Sequence, residues 1–113
     1  MDDFEIIFSD GVCVIVVNLL RSTINEAFAF RKIVKEEIKS GHTNLVIDLS
    51  KCDYIDSTFF GAIMMALGMM NDIGDKLRVV KPVNPRESIF LTTNTLGVID
   101  LYKTREDAIK SFE

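Results

Sequence analysis

Tryptophan is absent from this chain, and proline, cysteine and histidine are scarce, at two, two and one among 113 residues. One histidine and two distant cysteines supply no ligand spacing for a metal, so no metal site or other cofactor is expected. Cys13 and Cys52 form no Cys-x-x-Cys pair, and each sits beside strand-like sequence. That usage suits inert, buried thiols in a reducing compartment. No Gly-rich loop opens a helix, which removes the usual phosphate cradle of a nucleotide site. No block of Lys or Arg occurs and the net charge is −4, so nucleic acid is not an expected partner.

Long apolar runs are lacking too. The longest weakly polar run, Phe59 to Met70, falls short of the ~20 residues that a bilayer requires. Direct membrane insertion is therefore not expected. The opening residues, MDDFEIIF, are acidic where a secretory signal is basic, which leads to an expectation of a cytoplasmic protein. No repeat, low-complexity tract or linker divides the chain, so residues 1–113 read as a single domain. Hydrophobic residues at 48% and mixed-sign charges at 27% place it with ordinary globular domains.

What is present alternates between two periods. FEIIF (4–8) and VCVIVVNLL (12–20) are β-rich and flank Asp10-Gly11, a strong hairpin turn. INEAFAFRKIVKEEIKS (24–40) has helical spacing, with Thr23 or Ser22 able to cap it and Gly41 able to end it. Its residues Lys35, Glu36, Glu37 and Lys39 read as a solvated face. NLVIDL (44–49) suits a central strand, a helix is expected from about Ser57 to Asp72, and LRVVK (77–81) reads as a strand. PRESIFLTTN (85–94) reads as a helix with Pro85 in its first turn, residues 98–101 as a short strand or turn, and TREDAIKSF (104–112) as a last helix. Thr104 and Asp107 stand at capping-box spacing. The order ββαβαβα(β)α predicts an α/β domain: a mixed β-sheet of four to five strands with helices packed on it.

The stretch YIDSTFFGAIMMALGMM (54–70) carries the chemistry. Asp56 and Ser57 stand where a helix begins, and side-chain oxygens there accept bonds from unpaired backbone N–H groups. Capping alone accounts for them. The helix that follows is apolar nearly all round and holds Met64, Met65, Met69 and Met70, which suits either a buried element or an adaptable contact surface. A hydroxyl at its N-terminus is also suited to a switch, since a phosphate would add nearly two negative charges. Asp48 reads equally as a buried polar group or a rim contact. A catalytic triad of His42, Asp48 and Ser57 is rejected, because the Gly-x-Ser-x-Gly elbow is absent and His42 lies in a polar loop. No catalytic residue is assigned and no enzyme activity is expected.

The segment NLVIDLSKCDYIDSTFFGAIMMAL (44–67) resembles the signature of STAS domains, the family of bacterial anti-sigma factor antagonists, through Ile55, Asp56, Ser57, Thr58, Phe60 and Gly61. IFLTTNTLGVIDLYKTREDAI (89–109) also resembles the family's C-terminal pattern, so the likeness spans most of the chain. The resemblance implies a partner-switching regulator of bacterial signalling and transcription. On that reading Ser57, or alternatively Thr58, is phosphorylated by a serine-kinase anti-sigma factor or similar regulator. A serine phosphatase removes the phosphate, and the unphosphorylated form binds the kinase. Asp56, Thr58, Phe59, Phe60 and Met64 would then form the partner-binding surface. Two positions depart from the pattern: Phe59 replaces a glycine, and LRST (20–23) stands where the family often has a Gly-Glu-hydrophobic-Asp turn. Phe59 motivates an alternative, a non-phosphorylated scaffold or accessory subunit that binds its protein partner constitutively. Oligomeric state is not legible.

Overall fold

The computed structural model describes residues 2–41, 44–83 and 99–113. Strands β1 (Phe4–Ser9) and β2 (Val12–Val17) form the expected antiparallel hairpin, with Ser9 opposite Val12. Asp10 and Gly11 turn it with φ of 52° and 78°, the left-handed pair that matches the twist of a two-residue hairpin. Next come β3 (Arg21–Ser22), α1 (Ile24–Lys39), β4 (Asn44–Asp48), β5 (Tyr54–Ile55) and α2 (Ser57–Asp72). The chain continues with β6 (Lys76–Val80), β7 (Leu101–Tyr102) and a last helix, α3 (Arg105–Lys110).

The main sheet has the order β1-β2-β4-β6-β7, antiparallel at the first pair and parallel across the other three. It is the mixed five-strand sheet the element pattern implies. Alternation along the central strands divides the apolar side chains between two faces. Ile15, Val17, Leu45, Ile47, Leu77 and Val79 pack against Phe30 and Val34 of α1 and Phe59, Ile63 and Met70 of α2. On the other face Val12, Val14, Val16, Val46 and Val80 pack against Ala108, Ile109 and the following Phe112. Because helices cover both faces of β2, all six of its residues are buried and its sequence reads as an unbroken apolar run.

The structure differs from the sequence reading at element ends and in one additional pair of short strands. Strand β2 stops at Val17 rather than Leu20, and the chain turns out of the sheet. The Leu20 carbonyl then accepts the N–H groups of Asp53 and Tyr54, at 2.8 and 3.2 Å, beside a separate parallel pair of β3 with β5. Two-residue strands have no periodicity to detect, and their pairing is set by distant segments. The last strand is Leu101–Tyr102, so Ile99 and Asp100 precede it. The helix expected over residues 85–94, together with His42, Gly97 and Val98, lies outside the described residues.

Candidate functional site at the paired helix N-termini

The β3–β5 pair brings the starts of α1 and α2 together. Thr23 caps α1 with a complete capping box: its hydroxyl accepts from the Asn25 N–H at 3.2 Å, and Glu26 accepts from the Thr23 N–H at 2.9 Å. Asp56 caps α2, with Oδ1 accepting from the Phe59 N–H at 2.8 Å. Its other oxygen, Oδ2, accepts from the Ile24 N–H, the first of α1, at 2.9 Å. One carboxylate thus serves the N-termini of two helices. A Ser or Thr cap would have to accept both bonds at one oxygen, whereas the carboxylate gives each N–H an oxygen of its own. The Asp56 main chain is held as well, its N–H donating to the Ser22 carbonyl at 3.0 Å and its carbonyl accepting from the Phe60 N–H at 3.0 Å. Beneath it, Ser22 is fully buried and its Oγ lies 3.4 Å from Cys52 Sγ.

Ser57 is the first residue of α2 and is exposed. Among the described residues its hydroxyl has no hydrogen-bond partner, so the cap is provided by Asp56 and the hydroxyl is left to solvent. Thr58, Phe60 and Met64 are half-buried. Phe60 and Met64 pack against the edge of the main core. Phe59 is different. Its ring is wholly buried and lies on Phe30 with centroids 4.7 Å apart. The expectation that Phe59 lines a partner-binding surface is therefore corrected: at position 59 the helical turn points inward, and the side chain contributes to the core. The two glycines of α2, Gly61 one turn beyond Ser57 and Gly68, leave space: an added Cβ would meet nothing within 4 Å at either.

Asp48 also resolves. It is buried at the end of β4, where it accepts from the Arg105 Nε at 2.9 Å and from the Ser50 N–H at 2.9 Å. It ties α3 to the sheet, away from Asp56. Burial pushes the Cys13 thiol up to about 12, with the Glu37 carboxylate adding to the effect. Burial likewise pushes Cys52 up to about 11, partly offset by the Ser22 hydrogen bond. Both thiols are protonated near neutral pH, which opposes nucleophilic chemistry. No group of acidic, His and Cys side chains suited to a metal ion occurs among the described residues. No described helix is long and apolar enough to cross a membrane.

Against known proteins, the STAS domain family matches residues 3–108. The chain belongs to the STAS domain family. A protein of Thermotoga neapolitana, provisionally assigned as an anti-sigma factor antagonist, is 26% identical over 91 residues, covering 80% of each chain. The structure of an anti-sigma factor antagonist from Mycobacterium paratuberculosis superposes with a TM-score of 0.84 at 20% identity, covering 96% of this chain and 91% of that one. The phosphorylated form of the Bacillus cell fate determinant SpoIIAA superposes with a TM-score of 0.72 at 14% identity, covering 97% of this chain and 99% of that one. This STAS domain therefore has an anti-sigma factor antagonist-like fold.

Sequence reasoning located Asp56 and Ser57 as a helix start but missed the reach of Asp56 to α1. A single bond across 32 positions leaves no local signal. It also missed an exposed apolar group, Leu20, Ile24 and Phe28, beside the site. The i, i+4 spacing of Ile24 and Phe28 was visible, but it reads identically for an inward and an outward face.

Proposed function

We propose that this STAS domain is a partner-switching regulator of the anti-sigma factor antagonist type, with Ser57 as its phosphorylated residue. Its partner would be a serine-kinase anti-sigma factor or similar regulator, and a serine phosphatase would restore the binding form. The observation that carries this reading is the exposed Ser57 hydroxyl at the start of α2, free because Asp56 already caps the helix. Phosphate there would sit at a helix N-terminus, where the dipole favours anions, so the fold would survive the modification. The same charge would lie beside the Asp56 carboxylate and on the outward surface, where a partner meets it. Gly61 and the half-buried Thr58, Phe60 and Met64 complete the proposed contact surface. The burial of Phe59 removes the reason for preferring a constitutive scaffold, because its ring does not obstruct Ser57.

Intact mass with fragment mapping, on protein purified from its native cell, tests the site. Phosphate on Ser57 is the expected result. Phosphate on Thr58 would move the acceptor by one residue, and none under several growth conditions would overturn control by phosphorylation. Ser57→Asp is expected to weaken partner binding while leaving the circular dichroism spectrum unchanged. Loss of the fold in that variant would show that position 57 is structural.

A further inference from the structure

We propose that the outward side of α1 and the turn before it form a second docking area, continuous with Ser57. The area fits a protein surface that has an apolar pocket rimmed by acidic side chains. The proposal rests on the partner-switching reading and names the chemistry of the partner.

Six large hydrophobic side chains are exposed among the described residues, and three of them fall in the short stretch 20–28 at the start of α1. Leu20, Ile24 and Phe28 are 68%, 65% and 74% exposed. Scattered apolar side chains on a surface are ordinary, but a contiguous group is not. Ile24 and Phe28 lie one turn apart on α1. The Ile24 backbone is bonded to Asp56, the residue preceding Ser57, and Leu20 is held beside Tyr54 through its carbonyl. The apolar group therefore abuts the phosphorylation site and does not lie on a remote face.

Charge identifies what meets it. Seventeen acidic side chains outnumber thirteen basic ones in the chain as a whole. The exposed positions of α1 reverse that balance: Arg31, Lys32, Lys35 and Lys39 are outward, against Glu36 alone among the acids. Arg21, before the helix, lies over the Tyr54 ring at 4.4 Å and remains exposed, its guanidinium held ready for a carboxylate. An apolar centre flanked by cations suits a partner with the opposite pattern. A second copy of this chain does not fit, because a two-fold interface would place the same cations against one another.

Photo-crosslinking in the native cell tests this, with p-benzoylphenylalanine introduced at Phe28, at Gly61 beside Ser57, and at Lys110 on α3 as a control. The expected result is one protein adduct of the same mass from Phe28 and Gly61, absent from Lys110. The Phe28 crosslink should map to a partner peptide rich in Asp and Glu. An adduct from Gly61 but none from Phe28 would overturn this inference and leave the proposed function standing. No adduct from either would overturn both. A dimer of this chain, a crosslink into an acid-poor peptide, or different partners at the two positions would each overturn the inference. With the identified partner purified, the double variant Arg31→Glu/Lys35→Glu is expected to raise Kd about tenfold, as is Phe28→Ser, with both still folded. Unchanged affinity in both would overturn it, as would binding of the wild-type chain to phosphatidylglycerol vesicles that the double variant loses, since the basic face would then serve a lipid surface.

Discussion

Asp56 is the residue on which the candidate site depends. At an ordinary N-cap Asp and Asn are nearly equivalent. Here both carboxylate oxygens accept, from Phe59 and from Ile24, while an Asn side chain has one acceptor and would turn an N–H toward the second donor. Asp56→Asn is expected to cost about 1 kcal/mol and Asp56→Ala about 2 kcal/mol in urea denaturation. An unchanged midpoint for the Asn variant would show that the bond to α1 contributes nothing. Phe59 makes the opposite point. From sequence it read as an obstruction or anchor for a partner, and Phe59→Gly would then raise phosphorylation of Ser57. In the fold its ring fills the space beside Phe30. The variant should instead lose about 4 kcal/mol or more through the cavity and the helical glycine, read as a collapse of the thermal transition.

At the scale of the element, α2 combines two roles on one cylinder. Phe59, Ala62, Ile63, Ala66 and Met70 face the core, whereas Ser57, Gly61, half-buried Met64 and Gly68 recur at helical spacing on the outward side. A glycine inside a helix sacrifices stability relative to alanine. Gly61→Ala should therefore stabilise the domain by about 1 kcal/mol, since its Cβ meets no neighbour. Gly61→Leu should leave the fold intact and weaken partner binding without abolishing it, measured by calorimetry, so that a crosslinking side chain there still captures the complex. Equal affinity would remove Gly61 from the contact surface. The Met-rich sequence of this helix was legible as apolar all round, but four chemically identical thioethers gave no way to separate buried Met70 from half-buried Met64, Met65 and Met69. That division depends on which neighbours the helix meets.

At the scale of the whole molecule, the sheet separates two layers: among the described residues α1 and α2 cover one face, and α3 with the residues after it covers the other. The α3 layer is secured by the Arg105–Asp48 pair, whose carboxylate is nearly inaccessible while the arginine side chain is about one-third exposed. Among the described residues, Arg105→Ala would leave the buried Asp48 with the Ser50 N–H alone. The expected cost is about 2 kcal/mol, smaller than for a fully desolvated pair because solvent reaches the arginine. A change below about 0.5 kcal/mol in denaturant titration would show that α3 is held by its apolar contacts alone. The outward side of the other layer carries Ser57 and the exposed face of α1, so the proposed partner contact and the core packing would use different sides of the same two helices.

The hairpin, the long helices and the central strands were determined by sequence alone. Each extends over enough residues for a hydrophobic period to repeat, and Asp10-Gly11 and Thr23 mark their ends by local chemistry. The Asp-Ser helix start was determined in the same way. Tertiary structure decided the rest: the two-residue β3–β5 pair, the second hydrogen bond of Asp56, the inward turn of Phe59 and the outward turn of Ile24 and Phe28. Each of these is a contact, or a choice of face, between segments far apart in the chain. Periodicity specifies that a helix has faces, while only the packed neighbours decide which face is buried.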